Sequence, residues 1–255
     1  MDRSNKSELR HKLLDYIDNN YVEIYSPLLI PNFSETERDG WGAEHFDWNH
    51  LYLSGNRRMV NHNDVRELPM TNNVTMSTTG RKVLEFGCNT AYFSFLACKE
   101  NAKFCLGIDT DEVILGLNQI SKEISGYKNI EFEHLNMKSY SGMSTDKYEG
   151  GDSPFVFDEA KKQLQGIQEK HGDFDVLICY SIWDFDFYHE TDFLKDITNL
   201  FNIKDIWFEP TNHHHISVKE YDEWTQKYVE KFGNVRMVGT TDYQDRPLYL
   251  WERVI

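Results

Sequence analysis

The chain has 255 residues, of which 27 are basic and 42 are acidic, so its formal net charge is −15. Its residues are 40% hydrophobic and 14% aromatic, which is enough to fill the core of one large α/β domain. The negative charge repels phosphate backbones at long range and disfavours a nucleic-acid substrate. The charged N-terminus lacks an apolar signal segment, and no apolar run approaches membrane-spanning length. We therefore expect a cytoplasmic protein with no membrane partner.

Residues 1–79 are predicted to form an N-terminal helix and a cap. Apolar residues recur at helical spacing from Lys6 to about Ile24, which indicates one amphipathic helix. Residues 26–79 are irregular, with three prolines, and favour a cap of short helices over a strand-based domain. Within this cap, the aromatic and ionisable stretch Trp41–His50 either lines an acceptor pocket or packs the cap onto the rest of the chain.

After Gly80, short apolar runs alternate with helical patterns. The predicted strands are Lys82–Phe86, Phe104–Ile108, Ile130–Leu135, Asp175–Cys179, Asp205–Phe208, Val235–Thr240 and Leu248–Arg253. The predicted helices are Ala91–Glu100, Asp111–Ser125, Thr191–Phe201 and Val218–Phe232, with further helical character at Phe155–Lys170 inside an insertion at 138–172.

This alternation predicts the fold class. Parallel neighbours need a crossover helix, so the order implies a parallel sheet with helices on both faces. The final two strands have no helix between them, which predicts an antiparallel end of the sheet. We therefore expect a doubly wound, Rossmann-like α/β domain over residues 80–255, with seven mostly parallel strands and an antiparallel last strand. The four cysteines fall in or beside predicted buried segments, without paired metal-ligand spacing, so we expect reduced core thiols.

One segment has the pattern of a cofactor-binding turn. In residues 83–93, VLEFGCNTAYF, an apolar strand runs into a tight turn and then a helix. Gly87 removes a side chain where backbone N–H groups at the helix start would approach a ligand. About 20 positions beyond this turn the next strand ends in Asp109, the spacing at which a carboxylate holds the hydroxyls of a nucleotide ribose.

These residues resemble the class I S-adenosylmethionine-dependent methyltransferases, whose first motif is acidic-x-Gly-x-Gly-x-Gly and whose second strand ends in an acidic ribose ligand. The resemblance covers Arg81–Ile255, including the antiparallel tail, and implies S-adenosylmethionine as the cofactor. It implies that Glu85, Gly87 and Asn89 line the amino-acid end of the cofactor, that Asp109 binds the ribose, and that Asn136 and Met137 flank the adenine. The implied cofactor-binding set is completed by Cys88 and Tyr180.

The motif departs from the family pattern at two positions, where Asn89 and Ala91 replace the second and third glycines. Asn tolerates a positive φ better than other non-glycine residues, and Ala has the next smallest side chain. We therefore expect the turn to survive both changes. A looser similarity, through Cys88–Ser94 and Asp245–Tyr249, points to a branch with wobble-uridine tRNA methyltransferases and small-molecule enzymes.

Acceptor-side residues are expected after the fourth and fifth strands, because ligands of open α/β sheets bind at the carboxyl ends of strands. In Cys179–Phe187, Asp184 is a candidate base, although the aromatic residues there fit core packing equally well. After the fifth strand, His213 and His214 are candidate bases, because a neutral imidazole is available near neutral pH. These three are the candidate catalytic residues.

Several alternatives stay open at the level of sequence. The histidines could bind a divalent metal with Asp184 or Glu209, although we assign no metal. We expect a methyltransferase that acts on a small-molecule acceptor by O- or N-methylation. An RNA methyltransferase would need a basic surface strip around the site. A catalytically silent domain that binds a partner would explain the two lost glycines, and both a monomer and a homodimer are compatible with the sequence.

Overall fold

A computed structural model of the protein describes residues 8–9, 11–13, 15–16, 19–20, 22–24, 57–59, 78–135, 157–184, 193–211, 223, 234–240 and 247–252, some of them by their backbone alone. The strands are β1 (Val22–Ile24), β2 (Arg57–Met59), β3 (Lys82–Phe86), β4 (Phe104–Asp109), β5 (Ile130–His134), β6 (Val176–Asp184), β7 (Asp205–Thr211), β8 (Asn234–Thr240) and β9 (Pro247–Glu252). The helices with defined bounds are α1 (Tyr92–Lys99), α2 (Glu112–Ser125), α3 (Phe157–His171) and α4 (Phe193–Leu200).

Seven of these strands form one sheet, in the order β5-β4-β3-β6-β7-β9-β8. The five strands from β5 to β7 are parallel, whereas β9 is antiparallel to both of its neighbours. The predicted doubly wound sheet with an antiparallel last strand is therefore confirmed. The last strand is not an edge, however, because it inserts between β7 and β8.

Helices cover both faces of this sheet. On one face, α1 and Leu115 of α2 pack on Val83, Cys105, Val176, Ile178 and Trp207. On the other face, α3 and α4 pack on Leu84, Leu106, Leu177, Ile206 and Phe208. Each central strand therefore buries both faces, as its continuous apolar sequence predicts for a parallel sheet.

The element bounds agree closely with the pattern of the sequence, with two informative differences. Strand β3 occupies the predicted residues, whereas β6 continues from the predicted end at Cys179 to Asp184, and β7 continues to Thr211. Three of the residues that follow Cys179 are aromatic or β-branched, and such residues favour strand extension; they are Tyr180, Ile182 and Trp183. All four cysteines are buried free thiols, as expected. Of the predicted helix Val218–Phe232, only Glu223 lies among the described residues, where it is helical.

The N-terminal helix is shorter than predicted. The helical residues described lie between 8 and 19, and Val22–Ile24 forms a parallel strand pair with Arg57–Met59. The prediction of a helix that continues to about Ile24 was therefore wrong at its C-terminal end. The β-branched residues at 22 and 24 favour a strand once a distant partner is present. The helical part packs on α2, where the Tyr16 hydroxyl donates to the carbonyl of Val113 at 2.9 Å.

Within the described part of the chain, none of the helices combines the length and the apolar character needed to cross a bilayer.

Candidate functional site

The sheet order creates a crevice at the carboxyl ends of its central strands. Strand β3 pairs with β4 on one side and with β6 on the other, so the order of connection reverses at β3. In open α/β sheets, ligands bind outside the carboxyl ends of the strands at such a reversal. The turn after β3, the end of β4 and the end of β6 therefore bound the candidate site.

The turn from Gly87 to Ala91 has an unusual backbone. Gly87, Asn89 and Ala91 have φ angles of +62°, +45° and +53°, so three alternate residues occupy the left-handed region. The expected turn thus forms although two of these positions carry a side chain. Two backbone hydrogen bonds fix it, from Cys88 N to the carbonyl of Ile108 at 3.0 Å and from Ala91 N to the carbonyl of Cys88 at 2.7 Å.

The accessible part of this turn is mostly backbone. From residue 83 to residue 98, only Gly87 is exposed and only Asn89 is partly exposed, while the other residues are buried. A ligand that reaches the turn would therefore meet main-chain atoms at Gly87, where a missing side chain allows close approach. This is the geometry of a turn that accommodates a ligand next to a helix N-terminus.

The carboxyl group of Glu85 lies beneath the turn. It is only 4% exposed, and its Oε2 accepts the backbone N–H of Ser94 at 2.7 Å. Helix α1 has no side-chain cap at Ala91, so Glu85 supplies an acceptor for one of its first N–H groups from inside the fold. Burial raises the pKa of Glu85 to about 7, although the N–H groups of Ser94 and Phe93 oppose the shift.

Asp109 joins the end of β4 to the turn. Its Oδ2 accepts the N–H of Asn89 at 2.8 Å, and its Oδ1 accepts the N–H of Asp111 at 3.0 Å. Burial raises the pKa of Asp109 against the effect of these backbone donors. Because the side chain is only partly buried and its two oxygens together have four lone pairs, the carboxylate can accept a further hydrogen bond. The residue predicted to hold a ribose is therefore adjacent to the turn and has acceptor capacity.

The glycine in β4 lets the turn approach the sheet. A Cβ at Gly107 would lie 2.9 Å from Cδ1 of Phe132 and 3.0 Å from Sγ of Cys88, closer than packed atoms allow. Cys88 is 1% exposed, so its thiol belongs to the core under the turn. Cys88 was predicted to bind the cofactor, but its side chain is directed away from solvent, so only its backbone is available at the turn.

Near the carboxyl ends of β6 and β7, Tyr180, which was predicted to bind the cofactor, lies opposite Glu209 in the register of the two strands. Both side chains lie on the α1 face of the sheet and are buried, Tyr180 to 6% exposure and Glu209 to 0%. The ring of Tyr180 also contacts Phe93 of α1 edge-to-face, with centroids 4.7 Å apart. Tyr180 is therefore part of the packing between α1 and β6, directly beside the turn.

Asp184 is described by its backbone alone. The pairing of β6 with β7 is regular up to Tyr180 and shifts register before Asp184, which pairs with Thr211. Asp184 therefore lies in the extended end of β6, whereas the sequence predicted that this strand ends at Cys179. Bulges of this kind re-aim side chains and are common next to active sites.

Four of the predicted site residues lie outside the described residues, namely Asn136, Met137, His213 and His214. The roles predicted for them remain predictions.

Sequence reasoning missed two residues that shape the turn. Asn118 of α2 is fully buried and donates from Nδ2 to the carbonyl of Asn89 at 2.6 Å. Ser94 is fully buried in α1 and supplies the N–H that Glu85 accepts. A polar residue in a helical pattern is usually solvated, so nothing in the local sequence marks either position.

Among the described residues, one group has the composition of a metal site. The ligand atoms of Glu131, Glu133 and His171 lie within 4.8 Å of one another. However, Lys170 Nζ lies 2.5 Å from Oε1 of Glu133, and His171 Nε2 lies 3.1 Å from the same atom. Burial alone would raise the pKa of Glu133, but the hydrogen bonds from Lys170 and His171 lower it overall. An ion-pair cluster accounts for this group without a metal.

Comparison with known proteins identifies the fold. No protein-family model matches the chain, and no curated protein matches it in sequence. A crystal structure of WbdD at 2.2 Å resolution is similar to it, with a TM-score of 0.51 and 16% identity, over 93% of this chain and 46% of that chain. A second structure, described as the bifunctional kinase-methyltransferase WbdD, has a TM-score of 0.51 and 16% identity, over 95% of this chain and 47% of that chain.

A weaker likeness is to SMU.776, a putative methyltransferase complexed with SAH, with a TM-score of 0.46 and 14% identity over 74% of this chain and 49% of that chain. The chain spans less than half the length of the WbdD chains it matches. At these identities the WbdD likeness establishes the fold. The seven-stranded sheet, with its antiparallel β9 between β7 and β8, is a Rossmann-like α/β fold.

Proposed function

We propose that the protein is an S-adenosylmethionine-dependent methyltransferase that binds its cofactor at the turn after β3 and methylates a small-molecule acceptor on oxygen or nitrogen. The observation that carries this proposal is the position of Asp109. Its carboxylate ends β4, is hydrogen bonded to the turn and keeps acceptor capacity beside the exposed backbone of Gly87. The fold, shared with a protein described as a kinase-methyltransferase, agrees with this proposal.

The described residues fit this cofactor. Asp109 supplies carboxylate oxygens that can accept the two ribose hydroxyls. The backbone at Gly87 and Asn89 is open to a ligand and adjoins the N-terminus of α1. Glu85 fixes the start of α1 from below through its bond to Ser94, and we keep it in the proposed site for this reason. In this proposal, Asn136 and Met137 flank the adenine, and Tyr180 and Cys88 form the wall and floor of the site.

S-adenosylmethionine, when bound, would supply a methyl group that is transferred to the acceptor atom as the bond from that carbon to the sulfonium sulfur breaks and S-adenosylhomocysteine leaves. The protein then has to position the acceptor in line with that methyl group and, for a hydroxyl acceptor, remove its proton. We propose Asp184, His213 and His214 for this proton transfer, because Asp184 is the last residue of β6 and the two histidines come after β7 in the sequence. The buried side chains of Tyr180 and Phe93, which pack beside the turn, would exclude water from this end of the site.

The charge of the chain supports a small acceptor over RNA. With 27 basic and 42 acidic residues, its field repels a phosphate backbone at long range. A tRNA substrate would need a basic strip around the carboxyl ends of β3, β4 and β6, whereas the end of β4 carries the acidic side chains of Asp109, Asp111 and Glu112, which are partly or fully exposed. These residues favour a neutral or cationic small molecule.

The geometry of the turn weighs against a catalytically silent domain. The support for that alternative is the loss of two motif glycines, yet Asn89 and Ala91 adopt the left-handed conformations that glycines adopt freely. The loss of glycine therefore does not remove the turn.

The acceptor class is tested by transfer of a labelled methyl group from S-adenosylmethionine, with pools of small hydroxyl and amine compounds and with total tRNA as separate acceptors. We expect the labelled methyl group to be incorporated into a small-molecule pool. Of the variants His213→Ala, His214→Ala and Asp184→Asn, the one that removes the base should reduce this incorporation. Incorporation into tRNA alone would contradict the assignment of a small-molecule acceptor but would agree with methyltransferase activity. Cofactor binding without transfer to any pool would favour a silent domain.

A further inference from the structure

Asn118 connects helix α2 to the turn across 29 positions of the chain. Its Nδ2 donates to the carbonyl oxygen of Asn89 at 2.6 Å and lies 3.7 Å from Sγ of Cys88. The side chain is fully buried, so no solvent competes for this hydrogen bond. The contact therefore ties the second half of the turn to a helix that also begins beside Asp109.

Asn89 is held from both sides. Its N–H donates to Oδ2 of Asp109 at 2.8 Å, and its carbonyl accepts from Asn118 at 2.6 Å. The N–H and the carbonyl belong to the two peptide groups that flank the Cα, so the two bonds together fix the orientation of both planes. Asn89 has φ +45°, a conformation that costs a residue with a side chain more than it costs glycine. The two bonds stabilise that conformation where glycine is missing.

The amide of Asn118 is an expensive group to bury for packing alone. Among the described residues, nothing donates a hydrogen bond to its buried Oδ1. A buried acceptor without a donor costs free energy that an apolar side chain of the same shape would avoid. The hydrogen bond to the carbonyl of Asn89 is therefore the favourable interaction that offsets the cost of burying this amide.

We infer that Asn118 is a positioning residue of the proposed cofactor site, which holds the Asn89 peptide so that the turn is preformed for the ligand. This inference rests on the proposed function. If the turn must first adopt its bound conformation, the apparent affinity falls by the fraction of molecules that have it. Loss of the Asn118 bond would lower that fraction and weaken cofactor binding without removing a ligand contact.

The first test compares Asn118→Leu with Ser121→Ala. Ser121 is a fully buried polar residue of the same helix whose hydroxyl bonds the carbonyl of Leu117, away from the turn. We expect Asn118→Leu to weaken S-adenosylhomocysteine binding by about tenfold, and Ser121→Ala by less than about twofold, in titrations below the unfolding temperature of each variant. Wild-type affinity in Asn118→Leu would overturn the inference.

A second variant, Asn118→Asp, keeps the shape of the side chain and so remains informative if Asn118→Leu does not fold. An ionised carboxyl cannot donate to the Asn89 carbonyl, whereas a protonated one can. Asn118 contacts the thiol of Cys88, whose pKa is raised by burial and by the nearby carboxyl groups of Asp109 and Glu85. The same burial and the same two carboxyl groups favour the protonated form of a carboxyl introduced at position 118. We expect wild type to bind S-adenosylhomocysteine more tightly than Asn118→Asp, with the largest ratio of affinities near about pH 8 and a smaller ratio towards about pH 5.5. A ratio that does not change with pH would count against the inference.

The two failures are distinguishable. If the wild type does not bind S-adenosylmethionine or S-adenosylhomocysteine, the proposed function fails and the role of Asn118 fails with it. If the wild type binds and both Asn118 variants bind equally well, the proposed function stands and only the positioning role is refuted.

Discussion

The carboxylate of Asp109 accepts the backbone N–H of Asn89 at 2.8 Å, which joins the end of one strand to the turn after its neighbour. The same carboxylate accepts the N–H of Asp111 through its other oxygen. One side chain thus closes two turns and keeps the capacity to accept from another donor. This arrangement explains why a single acidic residue can be both a structural link and the proposed ribose ligand.

The buried carboxyl of Glu85 predicts a pH-dependent stability. Its pKa is raised from 4.5 to about 7, so its contribution is fully present below about pH 4.5 and is lost as the pH rises through about 7. Glu85→Gln keeps an acceptor for Ser94 N–H and removes the charge. At about pH 8 we expect the variant to be more stable than the wild type by about 3 kcal/mol, and at about pH 5 by no more than about 1 kcal/mol.

Urea denaturation at the two pH values measures this difference. Glu169→Gln, which changes an exposed residue of α3, is the matched control and should give the same small difference at both. Equal stability of Glu85→Gln and wild type at about pH 8 would mean that burial does not raise the pKa of this group.

The close approach of β4 to the turn predicts a cost for a single methyl group. In Gly107→Ala, the new Cβ would meet Cys88 Sγ at 3.0 Å and Phe132 Cδ1 at 2.9 Å, both in the core. We expect this overpacking to lower the free energy of unfolding by about 1–3 kcal/mol. We also expect weaker cofactor binding, because Cys88 is part of the turn and would be displaced.

Gly166→Ala is the control for this change. Gly166 lies in α3 with nothing within 4 Å of its added Cβ, so alanine should stabilise the helix by about 0.5–1 kcal/mol. Both variants are compared by thermal and urea unfolding. A Gly107→Ala protein as stable as Gly166→Ala would show that the turn does not press against β4.

The left-handed conformation of Ala91 predicts that glycine is preferred there. Ala91 begins α1 with φ +53° and ψ +33°, where its Cβ is strained. In Ala91→Gly, the free energy gained by relief of this strain exceeds the free energy lost to the greater entropy of the unfolded chain, so we expect the protein to be stabilised by about 0.5 kcal/mol. The affinity for the cofactor should be retained.

Ala97→Gly places the same substitution inside α1, at a fully buried position. There we expect destabilisation by about 1 kcal/mol, since glycine disfavours helix interiors. Destabilisation of similar size at both positions would contradict the left-handed conformation at Ala91.

The sequence predicted the sheet well because its central strands are buried on both faces and are bounded by turns. Strand β3 has its predicted bounds, and Asp111 caps α2 one residue before the helix, at the predicted start. The extension of β6 to Asp184 was not predicted, because apolar and aromatic residues after Cys179 fit a strand or a packed loop equally well.

Long-range contacts account for what sequence reasoning missed. The pairing of Val22–Ile24 with Arg57–Met59 joins segments more than 30 residues apart, and local periodicity carries no signal for such a partner. Asn118 and Asn89 are 29 residues apart, and the role of Asn118 depends on a conformation of the turn that the sequence does not specify. The proximity of Asp109 to the turn at Gly87, in contrast, was predictable because their spacing follows from one strand and one helix.

The most direct test of the account is calorimetric titration of the purified protein with S-adenosylmethionine and S-adenosylhomocysteine, beside Asp109→Ala and Asp173→Ala. Asp173 is an exposed carboxylate in the loop before β6, away from the turn, and serves as the matched control. The account predicts micromolar binding by wild type and Asp173→Ala, and a loss of at least about tenfold in Asp109→Ala. No binding by the wild type, or equal binding by Asp109→Ala, would contradict it.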